Sequence, residues 1–429
     1  MPNLCICTDD SLDDLTGGTD RIISLAKNVS RHGFNVYLVD RSARKSFSSL
    51  FLDRDRYYQI ENGILKEQAY PRSMRLLFPG LVRLYQYILN RLVSLFTFSS
   101  FSAVGLSYLT DPYLFAKLLY VCRKQRIDLV QCECTVTAPS AYFVKKLLNV
   151  PLVYDAHNVE TEMTRSLANA SKTYIALLKL VERTSCMMCD SVFAVSEIDK
   201  KIFVSWGIWK NKIDVIPNSV DLNKFSASLH GDIIRKKYNL SKKIVMIFHG
   251  TLSYPPNHEA AIILSKNILP RIVEKCPNIC LILVGRDPPK IDHPSIIVTG
   301  FVENLEEYIA AADFGVVPLL KGGGTRIKIV EYMASGKAVV STFKGAEGLN
   351  LQNGTDILMT ESPDSKFVDL VLEMITNKSL RREIGINAKK KAELFYDWDK
   401  NAEKAVEIYS KLVHAFSVKR HGKSTPVAS

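Results

Sequence analysis

Short apolar runs of strand length alternate with longer stretches of helical period, and this alternation passes through the chain twice. The first series has strand candidates at 3–8, 35–40, 128–132, 151–155, 191–195 and 213–216; Gly17 and Gly18 open a helical stretch that reaches residue 31. A polar interval at 226–232 interrupts it, and a second series follows at 244–249, 280–284, 295–299, 314–317 and 338–341. Strands separated by helices form parallel sheets covered on both faces. At 429 residues the chain exceeds what one hydrophobic core supports, so two such sheets are expected. The reading is α/β, two doubly wound parallel-sheet domains, with a last strong helix at 399–416. Open parallel sheets bind ligands beyond the carboxyl ends of their strands, which points to the cleft between the two.

The stretch most informative about function is 322–342, GGGTRIKIVEYMASGKAVVST. Consecutive glycines strip a loop of Cβ atoms and let a ligand reach backbone N–H groups, while the helix behind them aims its positive end at the same place. With a helix beginning near Thr325, Thr325, Lys328, Glu331, Tyr332 and Ser335 share a face, and Ile327, Val330 and Ala334 face the core. Two cations beside Gly322, Gly323, Gly324 and Thr325 suit a diphosphate, and Glu331 one turn on suits two hydroxyls of a ribose or a sugar. A nucleotide-diphosphate sugar carries those groups in that order. The competing description is a plain loop followed by a surface i, i+3 pair of Lys328 and Glu331.

Other phosphate-binding patterns fail here. Gly336-Lys337 continues with Ala338, Gly422-Lys423-Ser424 has Ser417 where a P-loop needs its first glycine, and Ile327 stands where the third glycine of GxGxxG belongs. Asp40, at the end of the second strand, sits where a ribose-binding acid of a nicotinamide enzyme is expected, which keeps that enzyme class as an alternative.

Residues 324–342, together with GTLSYPPN at 250–257, VTGFVENLEEYIAAADFGVVPL at 298–319 and IPNSVDLNKF at 216–225, resemble the retaining group-1 glycosyltransferases, family 4. The resemblance runs from the Gly17-Gly18 loop to FYDWDKNAEKAVEIYSKL near the C-terminus. It implies the GT-B fold, with two Rossmann-like domains facing across a cleft. The acceptor domain would be 1–222, the donor domain 223–396, and a helix at 397–417 would cross back onto the first. It implies transfer of a sugar to a hydroxyl of a glycan or lipid-linked acceptor with retained configuration, and no metal or other cofactor. Glu331 matches the family glutamate that binds the donor ribose, whereas Gly323 stands where the family has another glutamate, at the donor sugar. Family cations that grip the diphosphate are replaced by Thr251 and Pro256, and Arg326 and Lys328 are expected to supply the charge instead. Gly250, Thr251, Gly17 and Gly18 match donor-contact loops, and His157 in VYDAHNVE matches a histidine facing the donor sugar. The alternative for that segment is Asn158 capping a helix, Glu160 complementing its dipole and His157 as a bystander.

A net charge of +12 favours polyanionic partners. Arg72, Arg75, Arg83 and Arg91 lie among leucines and aromatics ahead of the uncharged run 92–110, in which seven of nineteen residues are Ser or Thr. Residues 72–110 are therefore read either as a segment on an anionic membrane surface or as a helix pair covering a sheet. No basic stripe accompanies a nucleic-acid docking module, so nucleic acid is not an expected partner. Nine cysteines and an N-terminus without a secretory pattern indicate the cytoplasm, with peripheral attachment to the cell membrane as the extension of the membrane reading. Cys186 and Cys189 are read as buried packing residues, and 418–429 as a disordered basic tail. The absent glutamate leaves a non-catalytic sugar-nucleotide or glycan binder as a further alternative.

Overall fold

The structure, a computed structural model, describes residues 1–9, 12, 17–40, 56–70, 112–168, 170–226 and 231–421. The segment 72–110 of the membrane reading and the tail beyond residue 421 lie outside the described residues. The chain divides into two compact units, one formed by Met1–Ile216 with Asp399 onward, the other by Pro217–Trp398.

The first unit is built on strands β1 (Asn3–Thr8), β2 (Asn35–Asp40), β3 (Arg56–Glu61), β4 (Ile64–Ala69), β5 (Leu129–Glu133), β6 (Leu152–Ala156), β7 (Ser191–Ala194) and β8 (Ile213–Val215). They lie in the order β4-β3-β2-β1-β5-β6-β7-β8. Strands β5 and β6 are buried throughout, as strands covered on both faces are, with Gln131, Glu133 and Asp155 as the polar residues among their apolar ones. The β3–β4 hairpin departs from the all-parallel expectation: β3 runs antiparallel to β2 and β4. Its turn is Asn62-Gly63, at φ 51° and 79°, the positive-φ pair that tight hairpins require. That dipeptide was the one local signal for it, since β4 (ILKEQA) reads as polar.

The C-terminal helix Trp398–His421 buries Ala402, Ala405 and Tyr409. Tyr409 wedges its ring against Phe34 (centroids 5.8 Å apart) and Phe193 (5.6 Å). The helix runs to His421, so residues 418–421 are helical and not part of a disordered tail.

The second unit holds β9 (Ile244–His249), β10 (Ile279–Val284), β11 (Ile296–Gly300), β12 (Phe314–Val317), β13 (Ala338–Thr342) and β14 (Leu358–Thr360), ordered β11-β10-β9-β12-β13-β14 and parallel throughout. Parallel pairing gathers all carboxyl ends at one edge. Gly250, Gly285 and Gly300 stand at or just after the ends of β9, β10 and β11, all at positive φ.

Candidate functional site

In the second unit the glycine edge is required by sterics. A Cβ on Gly285 (φ +145°) would fall 1.7 Å from the Gly250 carbonyl oxygen, and one on Gly250 (φ +141°) would fall 2.8 Å from Asn257 Nδ2 and 3.1 Å from Lys328 Nζ. The backbone is thereby brought close to the head of the helix Ile327–Ala334. That helix starts two residues later than its sequence suggests: Arg326 occupies the N-cap position in extended conformation (φ −90°, ψ 98°), and Thr325 lies outside the helix, its hydroxyl accepting from Asn218 Nδ2 at 3.0 Å.

Lys328 points inward. Its ammonium donates to Asn257 Oδ1 at 2.6 Å and lies 4.2 Å above the Phe248 ring, while Asn257 Nδ2 donates to the Thr251 carbonyl at 2.9 Å. Burial, and after it the charge of Arg326, pulls its pKa down to about 7, against the opposing pull of Glu331. Glu331 reaches back to β9, where His249 Nε2 meets its Oε2 at 2.7 Å, and His249 Nδ1 meets the Tyr332 hydroxyl at 2.8 Å. The fully buried Tyr332 ring fits because residue 315 is glycine, where a Cβ would come 2.5 Å from it. Glu331 is thus held from below, and its Oε1 bonds to no described residue. The surface-pair description of Lys328 and Glu331 is set aside, since the two side chains are 6% and 15% exposed and each has its own partner.

Arg326 turns onto its own loop. Nη1 donates to the carbonyls of Gly323 and of Gly324 (2.8 Å), and Nη2 to that of Lys321 at 3.5 Å. Gly322 (φ +116°) leaves room for this, because a Cβ there would be 2.9 Å from Nη2. In a trans peptide N–H points opposite to C=O, so the amides of Gly324 and Thr325 face away from the guanidinium. The sequence reading placed Arg326 as a side chain offered to the ligand; in this structure its guanidinium lies against the carbonyls of its own loop. Pro256, in a family cation position, is buried in the first turn of the helix Pro255–Ile263.

The first unit has its own cluster at the carboxyl ends of β5 and β6, where Glu133 and Asp155 are paired in register. Arg21, 1% exposed, chelates Asp155 (Nη2–Oδ1 2.7 Å, Nε–Oδ2 3.1 Å) and donates to the Ile216 carbonyl at 2.9 Å. Glu133 Oε2 meets His157 Nε2 at 2.6 Å, and Glu133 Oε1 accepts from Gln131 Nε2 at 2.5 Å. Burial and the neighbouring Asp155 push the Glu133 carboxyl up, although His157 and Gln131 oppose this. Burial works to lower His157, but the Glu133 hydrogen bond and charge prevail and hold it above the ordinary histidine value. Donor atoms of Glu133, Asp155 and His157 lie within 4.8 Å of one another. Both Asp155 oxygens already take Arg21, and both Glu133 oxygens take protein donors, so the cluster is an internally compensated ion network.

Asn158 does not cap the following helix. Val159 holds the N-cap position of Glu160–Leu167, and Glu182 accepts from the Glu160 amide (2.7 Å), the Thr161 amide (3.0 Å) and the Thr161 hydroxyl (2.6 Å). Burial, with Glu160 nearby, raises Glu182 to about 8. Gly17 and Gly18 form the first turn of Gly17–Arg31, and among the described residues nothing lies within 4 Å of a Cβ placed on Gly17. Asp40 is 4% exposed and accepts from the amide of Leu12, in the loop after β1, at 3.4 Å. All nine cysteines are free thiols, Cys186 and Cys189 buried.

The structure therefore brings Gly250, Thr251, Lys328 and Glu331 together, sets Gly322–Gly324 around Arg326, and puts His157 in an ion network of the first unit. The sequence reading missed His249, Asn257, Arg21, Gln131, Glu133 and Tyr409. A signal existed for two of them: His249 and Glu133, like Asp155 beside Arg21, are polar residues at the ends of largely apolar strands.

Two family models cover most of the chain. "Glycosyltransferase Family 4" matches residues 16–224 and "Glycosyl transferases group 1" residues 243–377. An uncharacterised glycosyltransferase of Methanocaldococcus jannaschii is 25% identical over 52% of this chain and 59% of its own length. The UDP-Gal:α-D-GlcNAc-diphosphoundecaprenol α-1,3-galactosyltransferase of Escherichia coli is 22% identical over 72% of this chain and 82% of its own. Among solved structures, Anabaena HepE in complex with UDP-glucose superposes with TM-score 0.68 at 17% identity, covering 96% of this chain and all of that one. Sucrose-phosphate synthase of Thermosynechococcus elongatus gives 0.69 at 15%, covering 97% and 100%. These likenesses establish the GT-B fold. Among the described residues no helix is long and apolar enough to cross a membrane.

Proposed function

The chain belongs to the group-1 glycosyltransferases of the family-4 type, and from that premise we propose that it transfers a sugar from a nucleotide-diphosphate sugar to a glycan or lipid-linked hydroxyl, with retention and without a metal ion. The observation that carries this reading is the Lys328–Asn257–Thr251 contact beside the bare Gly250 and Gly285 backbone, one helical turn from the braced Glu331. Lys328 meets the diphosphate. Amides of Gly324 and Thr325, clasped by Arg326, take the charge that develops on the leaving phosphate, where one preorganised donor is worth about 3 kcal/mol. Glu331 Oε1 accepts the ribose hydroxyls, His157 serves the transferred sugar, and the departing phosphate assists deprotonation of the acceptor.

The E. coli and Anabaena proteins suggest the first substrates to try: UDP-galactose and UDP-glucose, with a lipid-diphosphate-linked N-acetylglucosamine as acceptor. The expected result is release of nucleoside diphosphate that requires acceptor and persists in excess chelator. NMR of the purified glycoside would show the donor's anomeric configuration. A donor that binds but is never turned over with any glycan or lipid-linked acceptor points instead to the sugar-nucleotide binder suggested by Gly323.

A further inference from the structure

His157 is the end of a hydrogen-bond chain that starts on the C-terminal helix. The Tyr409 hydroxyl meets Gln131 Oε1, Gln131 Nε2 donates to Glu133 Oε1, and Glu133 Oε2 meets His157 Nε2. Every link except the histidine is buried: Tyr409, Gln131 and Glu133 are each 0% exposed. In such a place an unsatisfied donor or acceptor costs about 1–3 kcal/mol, so the chain has one good arrangement of protons. Tyr409 donating to Gln131 Oε1 turns the amide so that its NH2 faces Glu133; the flipped amide would set two oxygens against each other. Glu133 is then an acceptor on both sides, and the neutral imidazole keeps its hydrogen on Nε2. Nδ1, which bonds to no described residue, is left as the open lone pair.

We propose that the C-terminal helix governs His157: Tyr409, through Gln131 and Glu133, fixes which ring nitrogen carries the proton and how the ring is turned, making these three positioning residues. This rests on the reading of His157 as the residue that serves the transferred sugar. Among the described residues, the other charged groups around the ring are Asp155 on β6, Arg21 on the helix Gly17–Arg31 and Glu160 on the helix Glu160–Leu167. Asp155 and Arg21 are paired with each other, so the Tyr409 chain is the variable part of the field. The Tyr409 ring is fixed independently by Phe34 and Phe193, which lets Tyr409→Phe remove the hydroxyl and keep the packing.

The test is an NMR titration of the full-length protein labelled with ¹³C,¹⁵N-histidine, the His157 signal being assigned by its loss in His157→Asn. Wild type should show the Nε2–H tautomer and a midpoint above that of an ordinary histidine. Glu133→Gln should lower the midpoint by about one unit or more, and Gln131→Met and Tyr409→Phe by a few tenths, with mixing of tautomers. A Tyr409→Phe protein whose His157 midpoint and tautomer are those of wild type overturns the proposal, whatever happens to transfer. The pH–rate profile tests the underlying reading separately. Shifted titrations with an unmoved profile leave the chain of control standing and remove His157 from the reaction.

Discussion

Replacing Lys328 with methionine should stabilise the free protein while removing its donor. Lys328 is buried, and its pKa is brought from 10.5 to about 7. That gap of about three and a half units, at about 1.4 kcal/mol per unit, sets about 5 kcal/mol as the most that the charged ammonium subtracts from the fold. An unfolded lysine keeps its proton up to 10.5 and the folded one loses it near 7. Stability therefore climbs with pH across that window; the deficit is full below 7 and gone above 10.5. Methionine keeps the stem's packing but gives up the Asn257 hydrogen bond, about 1 kcal/mol, and the contact with Phe248, about 1–2 kcal/mol. The net expectation is a gain of about 2–3 kcal/mol at pH 6 that disappears by pH 10. Urea unfolding of both proteins at pH 6, 8 and 10 measures it, and calorimetry with the nucleoside diphosphate should show affinity weakened about 10- to 100-fold. A variant less stable than wild type at pH 6, or wild-type stability flat from pH 7 to 10, would refute the reasoning.

Other changes give distinct signatures. Gly285→Ala should lose about 3 kcal/mol or more in denaturant unfolding, because its Cβ would strike the Gly250 carbonyl at positive φ. Glu331→Gln keeps shape and one hydrogen-bond acceptor, so the fold should be little changed while KM for the nucleotide sugar rises about tenfold, read from initial rates over a donor series. Arg326→Ala should slow transfer about 100-fold or more through a loosened Gly322–Gly324 loop; an effect on KM alone would return Arg326 to the role of a simple ligand cation.

The parts of this architecture that were readable from sequence are those set by local pattern. Strands such as Asn3–Thr8, Ile244–His249 and Phe314–Val317 are continuous apolar runs flanked by helical periods, and their bounds follow from composition. The β3–β4 hairpin escaped because β4 is largely exposed and reads as polar, and the three-residue β14 is too short to show a period. The glycine loop was legible as bare backbone leading into a helix, and that helix is Ile327–Ala334. What could not be read was which way each cation turns. Arg326 meets the carbonyls of its own loop, whereas Lys328 finds Asn257, 71 residues away. The His157 network is also long-range, since Arg21 is 134 residues from Asp155 and Tyr409 is 278 from Gln131.

Hydrogen exchange read by mass spectrometry, with and without saturating nucleoside diphosphate, tests the central claim most directly: that a diphosphate docks on bare amides beside Lys328. Slowed exchange should concentrate in peptides covering 250–257 and 322–331 and vanish in the Lys328→Met protein. Binding that leaves those two segments exchanging as in the free protein would contradict the account.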